Sequence, residues 1–386
     1  MKTAGMLGKR KATTQVWRYA AAAICESVPI AMMLPLIALY MNDSGTSPIA
    51  IGFYGALPFI LTLINLPLVP RVLAAVGFAR MFRTGLALST AGLVLSALTR
   101  DYVLLCIGAS LVGIGAAYRW SATEALIAWT TPTARLGRVT GLYQSFVAAA
   151  AAVGPFLVPV FSLRLETAAG LAIGLTLFAW LPIISLSPKT GPELAAPEAL
   201  SGSIRWWVFV PLATLGFIGG VFEAGLNALG PIQATRLGVL PSSSAVTLTG
   251  VIALASLATQ YPIGRLADRF GGAALFRALS VTLLLSLVAV PLSKSFPAGI
   301  WFAAIAWGGA GGSLYTLSII EVGIAYRNVP QAVSAIIGAY TNGGATGPVI
   351  GGVGLEISTE WGLAMVLGTL ILAAWPLAFR APRDVR

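Results

Sequence analysis

The sequence contains no histidine in its 386 residues. A Ser–His–Asp triad, a His-ligated zinc or haem and a histidine proton relay are thereby excluded. Its two cysteines, Cys25 and Cys106, each sit inside an apolar run, so no disulfide framework is encoded and both read as small buried hydrophobes. Charge is also scarce. Asp, Glu, Lys and Arg make up 10% of the chain, against about 25% in soluble domains. No stretch reads G-x-x-x-x-G-K-[ST], which argues against direct nucleotide drive. No metal and no cofactor are expected, and an intramembrane enzyme would lack its usual His, Cys or metal cluster.

What is present is apolar: 57% of the residues. A membrane-spanning helix takes about 20 such residues. Twelve runs are read, at 16–41, 49–70, 81–99, 102–130, 139–162, 168–187, 206–235, 244–263, 274–293, 298–326, 331–354 and 361–379. Polar punctuation separates them at Asn42-Asp43-Ser44-Gly45, Arg100-Asp101, Lys294-Ser295 and the Pro/Glu-rich stretch 188–203. The runs are too long, and alternate too little, for a β-barrel. The expectation is an all-α membrane protein.

The net charge of +11 marks one membrane face rather than a nucleic-acid surface. With a cytoplasmic N-terminus, 19 of the 24 Lys and Arg fall on the cytoplasmic side. Arg100, Arg164, Arg236 and Lys294 fall on the other, and Arg119 lies within a span. That asymmetry is the positive-inside pattern and sets both termini in the cytoplasm. Trp17, Trp206, Trp207, Trp301 and Trp361 fall at span ends, where interfacial belts form. Lys2, Lys9, Arg10 and Lys11 flank the first span, and no A-x-A-like cleavage site follows it.

The halves match one another. At an offset of 197, Glu26 meets Glu223, and Tyr118, Ser121, Glu124 and Tyr143 meet Tyr315, Ser318, Glu321 and Tyr340. At an offset of 194, Arg71, Gly77 and Arg83 meet Arg265, Gly271 and Arg277. Intramembrane glutamates are rare, so two such pairs at one offset carry weight. The pattern is a parallel repeat: a six-helix bundle at 1–187, a cytoplasmic linker at 188–205 and a pseudo-symmetric six-helix bundle at 206–386.

With these residues in view, the chain resembles the major facilitator superfamily. Gly264-Arg265-Leu266-Ala267-Asp268-Arg269-Phe270-Gly271 resembles its G-x-L-a-D-r-x-G loop signature, here between spans 8 and 9. The loop between spans 2 and 3, with Arg71 and Gly77, lacks the acid. Gly113-Ile114-Gly115 resembles the tail of a span 4 antiporter motif, with Ala109 where that motif has arginine. Gly343, Gly347, Pro348, Gly351 and Gly352 resemble the antiporter glycine signature, which the family carries in span 5, where this chain has only Gly154-Pro155. The stretch 260–269, Leu314-Tyr315 and Glu124…Arg138…Tyr143 are similar to a bacterial subgroup of uncertain substrate. The resemblance implies a twelve-helix transporter of the inner membrane, a monomer, whose spans 1, 4, 7 and 10 line a central cavity. It implies a conformational latch at Arg71, Gly77, Gly264, Arg265, Asp268, Arg269 and Gly271. Gly154, Pro155, Gly347 and Pro348 are read as helix bends, with ordinary small-residue packing as the alternative.

Five ionisable side chains lie inside spans: Glu26, Glu124, Glu223, Glu321 and Arg119. Each costs about 2.5–3.5 kcal/mol at a helix centre, so pairing, protonation or an aqueous cavity is required. The four glutamates are expected to couple protons or bind a cation, Glu26 and Glu223 foremost; a salt bridge from Glu321 to Arg327 is the plainer alternative. Arg119 is expected to pair across the bundle with Glu26 or Glu223, or to hold an anionic substrate group. Tyr118, Trp120, Tyr143, Gln144, Asn227, Tyr315, Tyr340 and Asn342 complete the candidate substrate contacts, with interhelical hydrogen bonds and aromatic packing as the alternative. The reading is a secondary transporter that exports a small amphipathic cation in exchange for protons. An importer of a small carboxylate or zwitterion anchored by Arg119 stands second. A transporter-like membrane sensor and an ion or lipid conduit stand outside the transporter class.

Overall fold

A computed structural model describes the backbone of residues 2–162, 164–185, 206–325 and 330–378. Side chains are described within those ranges except at 2–14, 129, 133–138, 206, 268, 324, 330, 331, 333, 377 and 378. The expected linker 188–205 and the cations Arg135, Arg138 and Arg327 therefore fall outside the description.

The described residues are mainly helical, with no strand among them. In order they form α1 (Lys2–Asp43), α2 (Pro48–Asn65), a 3-10 turn (Leu66–Leu68), α3 (Val69–Leu98), α4 (Tyr102–Thr130), α5 (Thr133–Val160) and α6 (Leu165–Phe178). Then come α7 (Trp206–Glu223), α8 (Leu226–Arg236), α9 (Ser242–Ala245), α10 (Thr247–Phe270), α11 (Gly272–Leu292), α12 (Ala298–Ala325), α13 (Pro330–Ile357) and α14 (Gly362–Ala378). Helices keep every backbone group bonded internally, which a hydrocarbon solvent demands. Their starts are written locally. Ser47 accepts from the Ala50 amide at 3.3 Å with Pro48 at the first position of α2, and Asp101 accepts from the Leu104 amide at 3.0 Å to open α4.

Seven helical stretches among the described residues are long and apolar enough to cross a membrane, or eight with α7 and α8 taken as one bent span. The expected twelve runs and this number differ for physical reasons. One stretch, Pro48–Leu98, is 51 residues, about 75 Å of helix against about 30 Å of hydrocarbon. It holds two crossings, divided where Gly77 takes φ 77° and ψ 167° inside α3. Helices α6 and α14 are apolar but shorter, and α13 is diluted by glycine and polar residues.

Glycines matched between the two halves of the sequence share a backbone conformation. Gly271, between α10 and α11, has φ 78° and ψ 153°, nearly the angles of its sequence partner Gly77. Gly45 and Gly238, 193 residues apart, form a second left-handed pair at φ 82° and 71°. Each stands where a span has just ended or a new one is about to begin.

The first and second sets of helices meet along α2 with α13 and α5 with α10. A Cβ on Gly52 would collide with the Pro348 carbonyl, one on Gly344 would lie 2.7 Å from the Phe59 ring, and one on Gly250 2.7 Å from the Phe156 ring. Arg236 donates to Asn42 at 2.6 Å and Ser242 to Asp43 at 3.2 Å across the same end. All these contacts lie toward the face opposite the basic loops. Toward the basic face, a Cβ on Gly141 of α5, Gly264 of α10 or Gly338 of α13 would meet nothing within 4 Å. The same three helices are thus closely packed at one end and have free space at these glycines toward the other.

A Gly52→Val substitution is expected to pry this seam apart, because the obstacle is backbone rather than a movable side chain. Labelling of an Ala228→Cys reporter, buried beside Gly55 of α2, by an impermeant maleimide should rise several-fold. Unchanged labelling would show that the seam does not govern access.

Candidate functional site

Span 7 is not the unbroken helix the sequence suggests. It bends by 44° between Glu223 and Leu226. The amides of Ala224 and Gly225 both reach the Gly220 carbonyl, at 3.1 and 3.0 Å, and Pro231 offers no donor to the turn before it. The bend lets α13 come close: a Cβ on Gly225 would lie 3.1 Å from the Gly347 Cα. Glu223 is the last residue of α7, so its carboxyl stands near the negative end of a helix dipole.

Glu223 is half-buried and held from two helices. Ser256 of α10 donates a short hydrogen bond to one oxygen, and the Tyr340 hydroxyl of α13 donates to the other at 3.3 Å. Gly311 and Gly312 of α12 make the room. A Cβ on Gly312 would strike Ser256 Oγ and lie 3.2 Å from Glu223 Oε1. Sequence reasoning missed Ser256 and these glycines, because only the bend reveals what Glu223 faces. Tyr340 and Tyr315 stack with centroids 4.5 Å apart and planes at 46°.

In the first half, Glu124 Oε1 accepts from Trp120 Nε1 at 2.6 Å and from Gln144 Nε2 at 2.8 Å. Tyr315, half-buried on α12, packs on the same Tyr340 that holds Glu223. Asn227 stands one turn beyond Glu223, half-buried, at the start of α8.

Glu26 does not join them as expected. It is wholly buried and forms an ion pair with Arg119 Nε, which is itself 7% exposed. The contact is a charge pair by distance, while the Glu26 oxygens and Arg119 Nε lack aligned hydrogen bonds. Arg119 also donates to the Ala23 carbonyl at 3.4 Å. The pair joins α1 to α4 inside the first bundle, where a Cβ on Gly85 of α3 would lie 2.8 Å from the Arg119 amide nitrogen. Tyr143 is buried, 3% exposed.

Other expectations also fall elsewhere. Glu321 packs over Gly272 at the start of α11, ten residues along α12 from Gly311 beside the Glu223 amide, about 15 Å of helix rise. Asn342 is exposed and lies about 160° around α13 from Tyr340, on the far side of the helix. Tyr118 donates to Asn65 Oδ1 at 3.3 Å, a contact within the first bundle. Gly154-Pro155 and Gly347-Pro348 interrupt neither α5 nor α13. Their glycines serve close approach: Gly154 faces the Val28 carbonyl, and Gly347 lies against Val221. In the loops, Arg71 is exposed, Gly77 and Gly264 have open surroundings, Arg265 lies over the Tyr261 ring at 4.9 Å, and Arg269 over Phe270 at 5.1 Å. The Asp268 side chain lies outside the described residues.

A model described as Major Facilitator Superfamily matches residues 19–323. The chain belongs to the Major Facilitator Superfamily. It is a multi-pass membrane protein and, by family, a secondary transporter of a small molecule. YfkF, an uncharacterized MFS-type transporter of Bacillus subtilis (strain 168), is 27% identical over 373 residues, covering 87% of this chain and 91% of its own. YcaD, an uncharacterized MFS-type transporter of Escherichia coli O45:K1 (strain S88 / ExPEC), is 25% identical over 328 residues, covering 83% and 84%. Among solved structures, the nucleoside transporter NupG superposes with a TM-score of 0.74 at 11% identity, over 95% of this chain and 98% of NupG. The human organic anion transporter MFSD10 (TETRAN) gives 0.67 at 14%, over 95% and 99%. At such identities the major facilitator fold is what is shared.

Proposed function

We propose that this major facilitator protein exports a small amphipathic cation from the cytoplasm in exchange for protons. The observation that carries the reading is two half-buried carboxyls inside spans of opposite halves, Glu223 held by Ser256 and Tyr340 and Glu124 held by Trp120 and Gln144, so that neutral donors hold both. The Glu26–Arg119 pair cancels its own charge, which leaves these two carboxyls as the acids of the site. Carboxyls in a low-dielectric chamber need a cation or a proton. The end of α7 adds negative potential at Glu223. Trp120, Tyr315 and Tyr340 offer aromatic faces to an organic cation.

The mechanism follows as competition. In the inward-open form, cargo displaces protons from Glu124 and Glu223. The units 1–187 and 206–386 then rock about the site, opening the seam at Gly52, Pro348 and Gly250. Protons from the far side release the cargo. The protein works as a monomer in the bacterial inner membrane and performs no covalent chemistry.

The rival import of a carboxylate anchored by Arg119 is disfavoured, because a substrate would have to displace the buried Glu26 from its guanidinium. The deciding measurement uses inside-out vesicles with an imposed proton gradient and a panel of lipophilic cations. Addition of a transported cation should collapse the gradient measurably. Flux that ignores a collapsed gradient would overturn proton exchange, and flux at channel rates would favour a conduit.

A further inference from the structure

The two carboxyls Glu124 and Glu223 are held differently, and the difference bears on what a cargo must carry. Trp120 stands four residues before Glu124, on the same face of α4, and its Nε1 donates to Glu124 Oε1 at 2.6 Å. Gln144 of α5 donates its Nε2 to that same oxygen at 2.8 Å. One oxygen therefore takes two donors from two helices, which orients the carboxyl. The other, Oε2, accepts no hydrogen bond from the described residues. Nor is it among the side-chain oxygens that are sealed from solvent without a partner, and Glu124 is half-buried. Within a span, a carboxylate oxygen that is neither bonded nor sealed faces a cavity rather than lipid.

Glu223 presents no such edge. Ser256 donates to its Oε1, and the Tyr340 hydroxyl donates to its Oε2 at 3.3 Å. Oε1 is crowded further, since a Cβ on Gly312 would lie 3.2 Å from it. On the other side, Tyr315 packs on the Tyr340 ring. Each oxygen of Glu223 thus already carries a hydroxyl, whereas Glu124 has one oxygen filled and one open.

We propose that Glu124 Oε2 is the atom that receives the cargo, and that the cargo is a protonated amine carrying at least one N–H. This rests on the cation reading above and narrows it. A charged N–H donor at Oε2 makes a charge-assisted hydrogen bond. A quaternary ammonium brings the same charge without a donor, so it leaves the lone pairs of Oε2 desolvated and unpaired. Glu223, with both oxygens engaged, is left to exchange its proton.

Isothermal titration calorimetry of the purified full-length protein at neutral pH tests this with matched probes: aryl-alkyl dimethylamines and the trimethylammonium ions of the same skeletons. Each dimethylamine is protonated there and has one N–H, and its quaternary partner has none. The amines should bind at least about tenfold tighter than their partners, a ratio that needs no variant. In Glu124→Gln the amide oxygen takes up Trp120 and Gln144, which puts the NH2 where Oε2 stood, donor facing donor. There the ratio should fall to about one. Equal affinities in the unaltered protein would overturn the N–H assignment and leave the cation reading standing. A ratio that survives in Glu124→Gln would place the acceptor elsewhere and overturn the assignment to Oε2. Failure of every probe of both kinds to bind would remove the cation reading, and this inference with it.

Discussion

A Glu223→Gln variant is expected to lose proton-driven transport in proteoliposomes by about 100-fold, while energy-independent exchange of cargo continues. The magnitude is that of the lost drive: one proton crossing a potential of about 120 mV carries about 2.8 kcal/mol, or about 100-fold, while Glu124 still holds the cargo. Glutamine keeps one acceptor oxygen for Ser256, and its NH2 can donate to the Tyr340 hydroxyl, so both contacts can persist with one of them reversed. What it cannot do is change charge when the chamber changes sides. Tyr340→Phe removes one neutral donor at 3.3 Å and should cost no more than about tenfold. Normal proton-driven uptake by Glu223→Gln would remove this residue from the coupling scheme. Loss of exchange together with drive would mean that Glu223 binds cargo without exchanging protons.

The second large effect concerns stability. Glu26→Gln is expected to destabilise the protein by about 3–5 kcal/mol, because Arg119 is left charged and buried with no counter-charge. Arg119→Met alone should do comparable damage. The double variant should recover most of the loss, since two neutral side chains replace two mutually dependent charges. Thermal denaturation of the four proteins gives the coupling energy as a double-mutant cycle. Additive losses would show that the two charges do not depend on each other.

These two expectations separate residues that the sequence presented as equals. Glu26 and Glu223 occupy matched positions in the repeat, and hydropathy treats them alike. Their partners decide otherwise, and partners come from other helices. Glu26 meets Arg119 on α4, as pairing across the bundle anticipated. Glu223 meets Ser256 and Tyr340, and only Tyr340 stood among the candidates. The bend after Glu223 left traces in Gly225 and Pro231, yet glycine and proline recur in many spans that run on undisturbed, α5 and α13 among them. Fold class was legible because the signals are local and additive: long apolar runs, one-sided cations and glutamates at a fixed offset. Depth and facing were less so. Asn342 and Tyr340 are two letters apart and sit on opposite sides of one helix, so a list of polar residues in a span overstates what shares a cavity.

The paired corners at Gly45 and Gly238, and at Gly77 and Gly271, have one more implication. A Cβ at any of the four would touch nothing within 4 Å, so bulk is not what these places forbid. Chirality is. An L-alanine there would carry about 1–2 kcal/mol of backbone strain, while its mirror-image isomer, introduced by chemical synthesis, would fit unstrained. At these corresponding stations in the two halves, what the chain requires is handedness rather than smallness.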